Sequence, residues 1–163
     1  MQTAALVLYA AGLLAAFGLR TVWQLRRTGR SGWVGVSRHG GPAARVGAAL
    51  FGAALLAGLF GVLAPAVGAV QVVSAGPGPA GVGLALTVAG LVVVLVSQAQ
   101  MGVSWRIGVD PGERTSLVTG GVFGWTRNPV FTGMVMVQVG VAFMVPSWWS
   151  MVAVLLLVAA VQL

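Results

Sequence analysis

Residues 81–96 read GVGLALTVAGLVVVLV, and the polar residues SQAQ follow them at 97–100. These sixteen residues without a charged side chain approach the roughly 20 that a helix needs to cross a hydrocarbon core about 30 Å thick. Other apolar stretches of similar length lie on both sides. The whole chain is 58% hydrophobic and 7% charged, whereas soluble domains carry roughly 25% charged residues. The sequence therefore predicts an all-α integral membrane protein.

We expect a bundle of about five transmembrane helices that makes the 163 residues a single domain. The predicted spans are 3–19, 46–73, 81–96, 130–145 and 148–163. The last two are short and are joined by Pro146 and Ser147, so they are predicted to form a helical hairpin. Pro65 falls inside the second span, where neighbouring helices can satisfy the backbone groups that it frees. A kink is therefore expected there rather than a helix end.

The positive charge predicts the orientation. All nine basic residues are arginines, and they lie in the predicted loops 20–45 and 97–129, while the turns 74–79 and 146–147 carry none. Loops rich in positive charge stay in the cytoplasm, which places both arginine loops inside and the N-terminus outside. The start, Met1-Gln2-Thr3, lacks the positive region of a signal peptide. The absence of lysine and the many Ala, Gly and Val residues suggest a GC-rich bacterial genome, so the predicted location is the bacterial inner membrane.

Composition excludes several kinds of site. The chain has no cysteine and one histidine, His39, so disulfides, thiolate catalysis and cysteine-bound metals are excluded, and no metal site is expected. The net charge of +7 is not accompanied by a nucleic-acid-binding motif, and we expect no nucleic-acid partner. The expected partners are the lipid bilayer and a lipophilic or small-molecule substrate.

Small residues recur every four positions in the second span. Such a stripe lets helix backbones approach closely within a membrane. We expect it to face the chain's own helices, and contact with a second copy is the alternative. The stripe consists of Ala49, Ala53, Ala57 and Gly61.

The segment 102–133 is the longest polar stretch between apolar spans. It contains both acidic residues, Asp110 and Glu113, which could pair with Arg106 and Arg114. A connection of this length in a compact bundle is usually functional or partly helical. Trp105 and Trp125 are interpreted as anchors at the membrane surface.

The sequence Arg127-Asn128-Pro129 predicts the start of the fourth helix. Proline suits the first helical turn because its missing N–H would be unpaired there, and Asn128 is a suitable N-cap. Arg127 would then lie at the positive end of the helix dipole, which attracts carboxylate or phosphate. The segment is therefore a candidate anion site.

Two motifs in this segment resemble a known family. Leu117-Val118-Thr119-x-Gly121-Val122-Phe123 and Arg127-Asn128-Pro129-x-Phe131-x-Gly133 are similar to paired motifs of the isoprenylcysteine carboxyl methyltransferase and phospholipid methyltransferase superfamily. The earlier Gly102-x-Ser104-Trp105-Arg106 resembles a segment of its bacterial members.

The resemblance implies an S-adenosylmethionine-dependent methyltransferase that modifies a lipophilic or small membrane-accessible carboxylate, amine or thiol. Such a transfer depends on positioning and exclusion of water more than on acid–base groups. Arg106 and Arg127 are the candidates for holding a substrate or cofactor carboxylate and form the predicted catalytic set. The residues that the resemblance assigns to the cofactor are Gly121, Val122, Phe123, Arg127, Asn128, Pro129, Phe131 and Gly133.

The chain departs from this pattern at three places. Val122 replaces a usual proline, Asn128 replaces the commoner histidine, and the chain stops at Leu163 within an apolar run, where family members continue into an acidic tail. The rest of the site is therefore expected beyond Leu163. Two alternatives stay open: an NADPH-dependent reductase of the steroid 5α-reductase type, whose helix start is similar, and an inactive membrane or interaction protein.

Overall fold

The computed structural model describes residues 1–36, 41–109 and 118–163. Its helices are α1 (Gln2–Thr28), with a π-helical stretch at Leu14–Leu19, α2 (Pro42–Ala66), α3 (Pro77–Met101), α4 (Pro129–Met144) and α5 (Trp148–Gln162). Two short strands, β1 (Trp33–Val36) and β2 (Ile107–Val109), and 3-10 turns at Gly102–Ser104 and Gly121–Gly124 complete the described elements.

The predicted all-α membrane fold is confirmed. Three helices, α1, α2 and α3, are long and apolar enough to cross a membrane, while α4 and α5 are apolar but shorter. The described sheet is a single parallel pair that joins Trp33 to Ile107 and Val36 to Val109. Sequence patterns did not predict this pair, because strands of three and four residues are too short to show an alternating pattern.

The first helix is longer than the predicted span. It continues past Arg20 to Thr28, because the polar side chains of its last turns have partners. The Arg20 guanidinium donates to the Gly102 carbonyl, and Gln24 Nε2 donates to the Val103 carbonyl over 2.7 Å. The helix stops at Gly29, which has a φ of 71° and forms the left-handed cap that glycine allows.

The second helix begins earlier and ends earlier in the sequence than the predicted span 46–73. It starts at Pro42 and ends at Ala66, so the predicted kink at Pro65 is wrong. Gly68 has a φ of 76°, its N–H donates to the Pro65 carbonyl, and the Ala69 N–H donates to the Ala64 carbonyl. This pair of bonds is the Schellman arrangement, which satisfies the last carbonyls and terminates the helix.

The third helix is longer than 81–96 at both ends. Pro77 and Pro79 lie in its first turn instead of in the predicted turn 74–79, where a missing N–H removes no helical bond. At the other end the helix includes the polar residues 97–100. Ser97 Oγ donates to the Val93 carbonyl, and Gln98 Nε2 donates to the Ala16 carbonyl over 3.0 Å.

Antiparallel helices α3 and α4 pack along facing glycines. A Cβ on Gly90 would lie 2.6 Å from the Gly133 carbonyl oxygen, and one on Gly83 would lie 2.6 Å from that of Gly140. Both pairs are seven residues apart along each helix, so they recur on one face every two turns. Small residues therefore bring the two backbones into direct contact, as is usual where lipid removes the hydrophobic driving force.

The predicted stripe of small residues is divided between two surfaces. Ala57 and Gly61 are buried, and Gly61 packs against Ser150 of α5, whereas Ala49 and Ala53 are exposed. Gly47, which the stripe omitted, packs against Ala160 and Leu163. Half of the stripe therefore serves internal packing. Association of two copies through the stripe stays a prediction.

A polar contact lies in the core of the bundle. The Tyr9 hydroxyl donates to the Leu55 carbonyl over 3.2 Å, and Gln138 Nε2 donates to the Ala54 carbonyl over 3.2 Å. Both side chains occupy space that a side chain at Gly58 would fill. Buried polar groups in a membrane need such partners, and these two connect α1, α2 and α4.

Candidate functional site

Most polar side chains collect at one end of the bundle, which we call the arginine end. The C-terminal parts of α1, α3 and α5 meet the starts of α2 and α4 there, because Arg20 contacts Gly102, Gly47 contacts Leu163 and Gly133 contacts Gly90. The described arginines all belong to segments at this end: Arg20, Arg26, Arg27, Arg30, Arg45, Arg106 and Arg127.

The first predicted motif forms a tight turn against the end of α3. Gln100 Oε1 accepts a hydrogen bond of 3.0 Å from the Val122 N–H. Gly121 has a φ of 61°, and a Cβ there would collide with the Gln100 amide. The backbone conformation therefore favours glycine at this position, and a larger residue would also displace the Gln100 amide.

The second predicted motif begins α4 as expected. Asn128 Oδ1 accepts from the Phe131 N–H over 3.2 Å, and Pro129 occupies the first turn. The prediction of an N-cap followed by a first-turn proline is confirmed. Arg127 is exposed immediately before the cap, at the positive end of the helix dipole.

Phe131 and Gly133 face the interior of the bundle. The Phe131 ring lies 5.7 Å from that of Phe51, and Gly133 is buried against Gly90 and Val94. Val122 and Phe123 are half-buried, whereas Gly121 and Asn128 are exposed. The eight residues that the resemblance assigned to a cofactor thus lie together in one corner of the arginine end, which we call the motif corner. Their role in cofactor binding stays a prediction.

Arg20 is held between two indoles. Its guanidinium carbon lies 4.3 Å from the Trp23 ring centroid and 5.1 Å from that of Trp105. Trp105 is 3% exposed, and its ring packs on Gly32, where a Cβ would lie 2.8 Å away. The prediction that Trp105 is an anchor at the membrane surface is therefore wrong, because its ring is buried against Arg20 and Gly32. Trp125, 93% exposed, fits that interpretation.

A cavity of about 730 Å³ with both polar and apolar walls opens beside this stack. Its walls come from the end of α1, the segment that leads into β1, and the segment 103–106 that precedes β2. Gln24 is 4% exposed, and its Oε1 accepts no hydrogen bond from the described residues. The lining residues are Gln24, Thr28, Arg30, Ser31, Gly32, Trp33, Val34, Val103, Ser104, Trp105 and Arg106.

A row of aromatic rings connects the cavity to the second motif. Trp33 lines the cavity and lies 6.3 Å from Phe17, which lies 6.3 Å from Phe51. Phe51 in turn contacts Phe131. Separations of this size are typical of packed aromatic pairs. These packed rings therefore join the wall of the cavity to the start of α4.

The cavity includes one of the two arginines that were predicted to hold a carboxylate, and the role of both stays a prediction. Arg106 lines the cavity, whereas Arg127 precedes α4 and is not among the lining residues. Asp110, Glu113, Arg114, Leu117 and His39 lie outside the described residues. Within the described ranges, no group of three or more His, Asp or Glu side chains could hold a metal ion.

Sequence reasoning missed Gln100, Arg20 and Gln24. Arg20 and Gln24 are four residues apart, which places them on one helix face, and both donate to backbone carbonyls of the segment after α3. That spacing was visible in the sequence, but Arg20 was interpreted as the end of a span. Gln100 belongs to a polar run that was noted only as the end of the third span.

Comparison of the sequence with profiles of known protein families gave one match. The sequence profile of the phospholipid methyltransferase family matches residues 80–163, which include α3, the segment after it, α4 and α5. Comparison with curated proteins and with solved structures gave no significant match.

Proposed function

The chain belongs to the phospholipid methyltransferase family and is a membrane protein of the methyltransferase class, and on that premise we propose that S-adenosylmethionine is its methyl donor. The acceptor in this proposal is a lipophilic or small membrane-accessible nucleophile: a carboxylate, an amine or a thiol. The proposed location is the cytoplasmic side of a bacterial plasma membrane.

One observation supports the proposal that the cofactor binds at the motif corner. The bond from Val122 N–H to Gln100 Oε1 holds the Gly121 turn against α3, while α3 also packs directly on α4, which begins with Asn128 and Pro129. The two motifs are thereby held on adjacent rigid elements. Such support fixes a binding site better than a free loop does.

The residues of the corner suit a ligand that carries a carboxylate. Gly121 is exposed and lacks a side chain, so a ligand can approach its backbone closely. Arg127 is exposed where the dipole of α4 is positive, so we assign it the cofactor carboxylate. When bound, the cofactor supplies a sulfonium methyl group that leaves as the acceptor's lone pair attacks in line, and the sulfur retains the electron pair of the broken bond.

The chain's own residues would position the reactants and exclude water from the reacting atoms. Phe131, Phe51 and Phe17 form an apolar floor below the corner, which excludes water from the reacting atoms. Few titratable groups are needed because the positively charged sulfonium departs as a neutral thioether and a carboxylate acceptor is already ionised. An amine or thiol acceptor would release its proton to solvent.

Binding of S-adenosylmethionine to the detergent-purified protein tests the proposal. Arg127→Ala is expected to weaken binding about tenfold or more, the usual effect of losing one charge-assisted hydrogen bond, whereas Arg26→Ala is expected to leave it unchanged. Isothermal titration calorimetry gives the affinity, and transfer of a labelled methyl group to membrane lipids gives the activity. Binding of NADPH instead, or no binding of S-adenosylmethionine by the full natural chain, would overturn the assignment.

A further inference from the structure

Of the residues predicted for methyl transfer or cofactor binding, the large cavity includes Arg106 alone among the described residues. Its walls include seven residues between Gln24 and Val34, all outside the segment 80–163 that the family profile matches. None of its lining residues belongs to the stretch from Gly121 to Gly133. Its volume, about 730 Å³, falls within the roughly 300–1,000 Å³ of pockets that bind whole small ligands.

The charge of the walls selects an anion. Arg30 and Arg106 line the cavity, and none of the described lining residues is acidic. Guanidinium groups are permanently charged and present a planar set of donors that matches a phosphate group. A ligand that carries phosphate is therefore favoured over a neutral one.

The position of the cavity at the end of a lipid-facing helix selects the source of that phosphate. The α1 segment that supplies Gln24 and Thr28 also exposes Leu19, Val22 and Leu25. Val103, which lines the cavity, is exposed as well. Apolar groups beside arginines and indoles mark the depth of lipid headgroups, where lipid phosphate is the abundant anion.

The remaining groups select the kind of headgroup. Gln24 Oε1 is buried at the cavity wall and accepts no hydrogen bond from the described residues, so it can accept from a hydroxyl group of a ligand after a small side-chain rotation. A positively charged ammonium group in a lipid headgroup is less well supported by the aromatic rings around the cavity. The Trp105 ring already faces the Arg20 guanidinium, and the Trp33 ring packs against Phe17. Arg30 and Arg106 beside the Gln24 Oε1 fit a headgroup that carries a phosphate and free hydroxyls.

We propose that this cavity binds the headgroup of an anionic glycerophospholipid, a phosphodiester with terminal hydroxyls such as phosphatidylglycerol. Arg30 and Arg106 hold the phosphate, and Gln24 accepts from a headgroup hydroxyl. The lipid is a bound ligand of the α1 end of the bundle and not a methyl acceptor. It connects the residues before β1 to those before β2.

Native mass spectrometry of the purified protein with added short-chain phosphatidylglycerol tests this site. We expect one tightly retained lipid on the natural chain, and an affinity at least about tenfold lower for Arg106→Gln and for Arg30→Gln, as loss of a charge-assisted contact implies. Arg26→Gln is the matched control, because it removes the same charge from the end of α1 outside the cavity. Size-exclusion chromatography checks that each variant is folded.

Three further ligands make the result specific. Phosphatidylcholine and phosphatidylethanolamine are expected to bind at least about tenfold more weakly than phosphatidylglycerol, and equal binding would overturn the proposal. An equal loss in Arg26→Gln and Arg106→Gln would also overturn it, because it would show attraction by net charge alone. Free glycerophosphoglycerol distinguishes the sources: competition at equal affinity assigns the site to a soluble phosphodiester, and much weaker competition assigns it to the lipid.

The experiments can reject the lipid site and the proposed methyl transfer separately. Loss of phosphatidylglycerol binding is measured without S-adenosylmethionine, and Arg127→Ala is expected to leave lipid binding unchanged. Absence of lipid binding in a protein that binds S-adenosylmethionine would reject the lipid site alone.

Discussion

At the residue scale, the amide of Gln100 is the contact on which the first motif depends. Its Oε1 accepts from Val122, and its side chain lies where a Cβ of residue 121 would be. The side chain is exposed and lies at the end of a long helix, so its effect on the global stability of the bundle is small. Its effect on the shape of the Gly121 turn is direct.

Gln100→Ala is therefore expected to weaken S-adenosylmethionine binding by roughly three- to tenfold, the range that loss of one neutral hydrogen bond implies. The melting temperature should stay nearly constant. Gln71→Ala is the control, since Gln71 is an exposed amide at the opposite end of the bundle. Unchanged binding in Gln100→Ala would show that the turn keeps its shape without this bond.

Asn128 allows capping to be separated from ligand binding. Asn128→Ala is expected to lower the free energy of unfolding by about 1 kcal/mol through loss of the N-cap, while Asn128→Ser, which can cap, retains most of it. Reversible unfolding in mixed micelles measures the difference. Equal stability of the alanine variant would contradict the capping role. Weaker S-adenosylmethionine binding in a fully stable serine variant would show that the amide contacts the cofactor.

At the element scale, α3 and α4 act as one unit because their backbones touch. A methyl group at residue 90 would press on the Gly133 carbonyl at 2.6 Å and the Val137 nitrogen at 2.8 Å, and backbone cannot move aside as a flexible side chain can. Gly90→Ala is therefore expected to destabilise the protein by about 1–3 kcal/mol, as overpacking does. Unfolding in mixed micelles measures this change as well.

Gly81→Ala is the matched control on the same helix. A Cβ at residue 81 meets nothing within 4 Å, so the variant should be as stable as the natural chain or slightly more stable. A loss in both variants of equal size would show that glycine serves the flexibility of α3 rather than its packing on α4.

At the scale of the whole molecule, the described arginines and both motifs lie at one end, and the turns near residues 74 and 147 lie at the other. Single-cysteine labelling tests the orientation, because the chain contains no cysteine. A membrane-impermeant maleimide is expected to label Ser74→Cys in intact cells and Thr119→Cys only after permeabilisation, as positive-inside insertion requires. The reverse pattern would place the proposed site outside the cell.

The sequence allowed the helical class and the start of α4 to be predicted because both depend on local chemistry. Apolar length predicts a span, and Asn128 followed by Pro129 predicts a helix start. The end of α1 could not be predicted, since Arg20 is stabilised within a helix by Gly102, a residue 82 positions away. Trp105 was misassigned for the same reason: its burial depends on Gly32 and Arg20, which only the folded chain brings near.

The two bonds from α1 to the segment after α3 also predict how relatives should diverge. Gln24 donates to a main-chain oxygen of residue 103, which every amino acid provides, so position 103 can change during evolution without loss of the bond. Position 24 cannot lose its donor so freely. Substitution should therefore be slower at position 24 than at position 103, although position 24 lies outside the segment that defines the family.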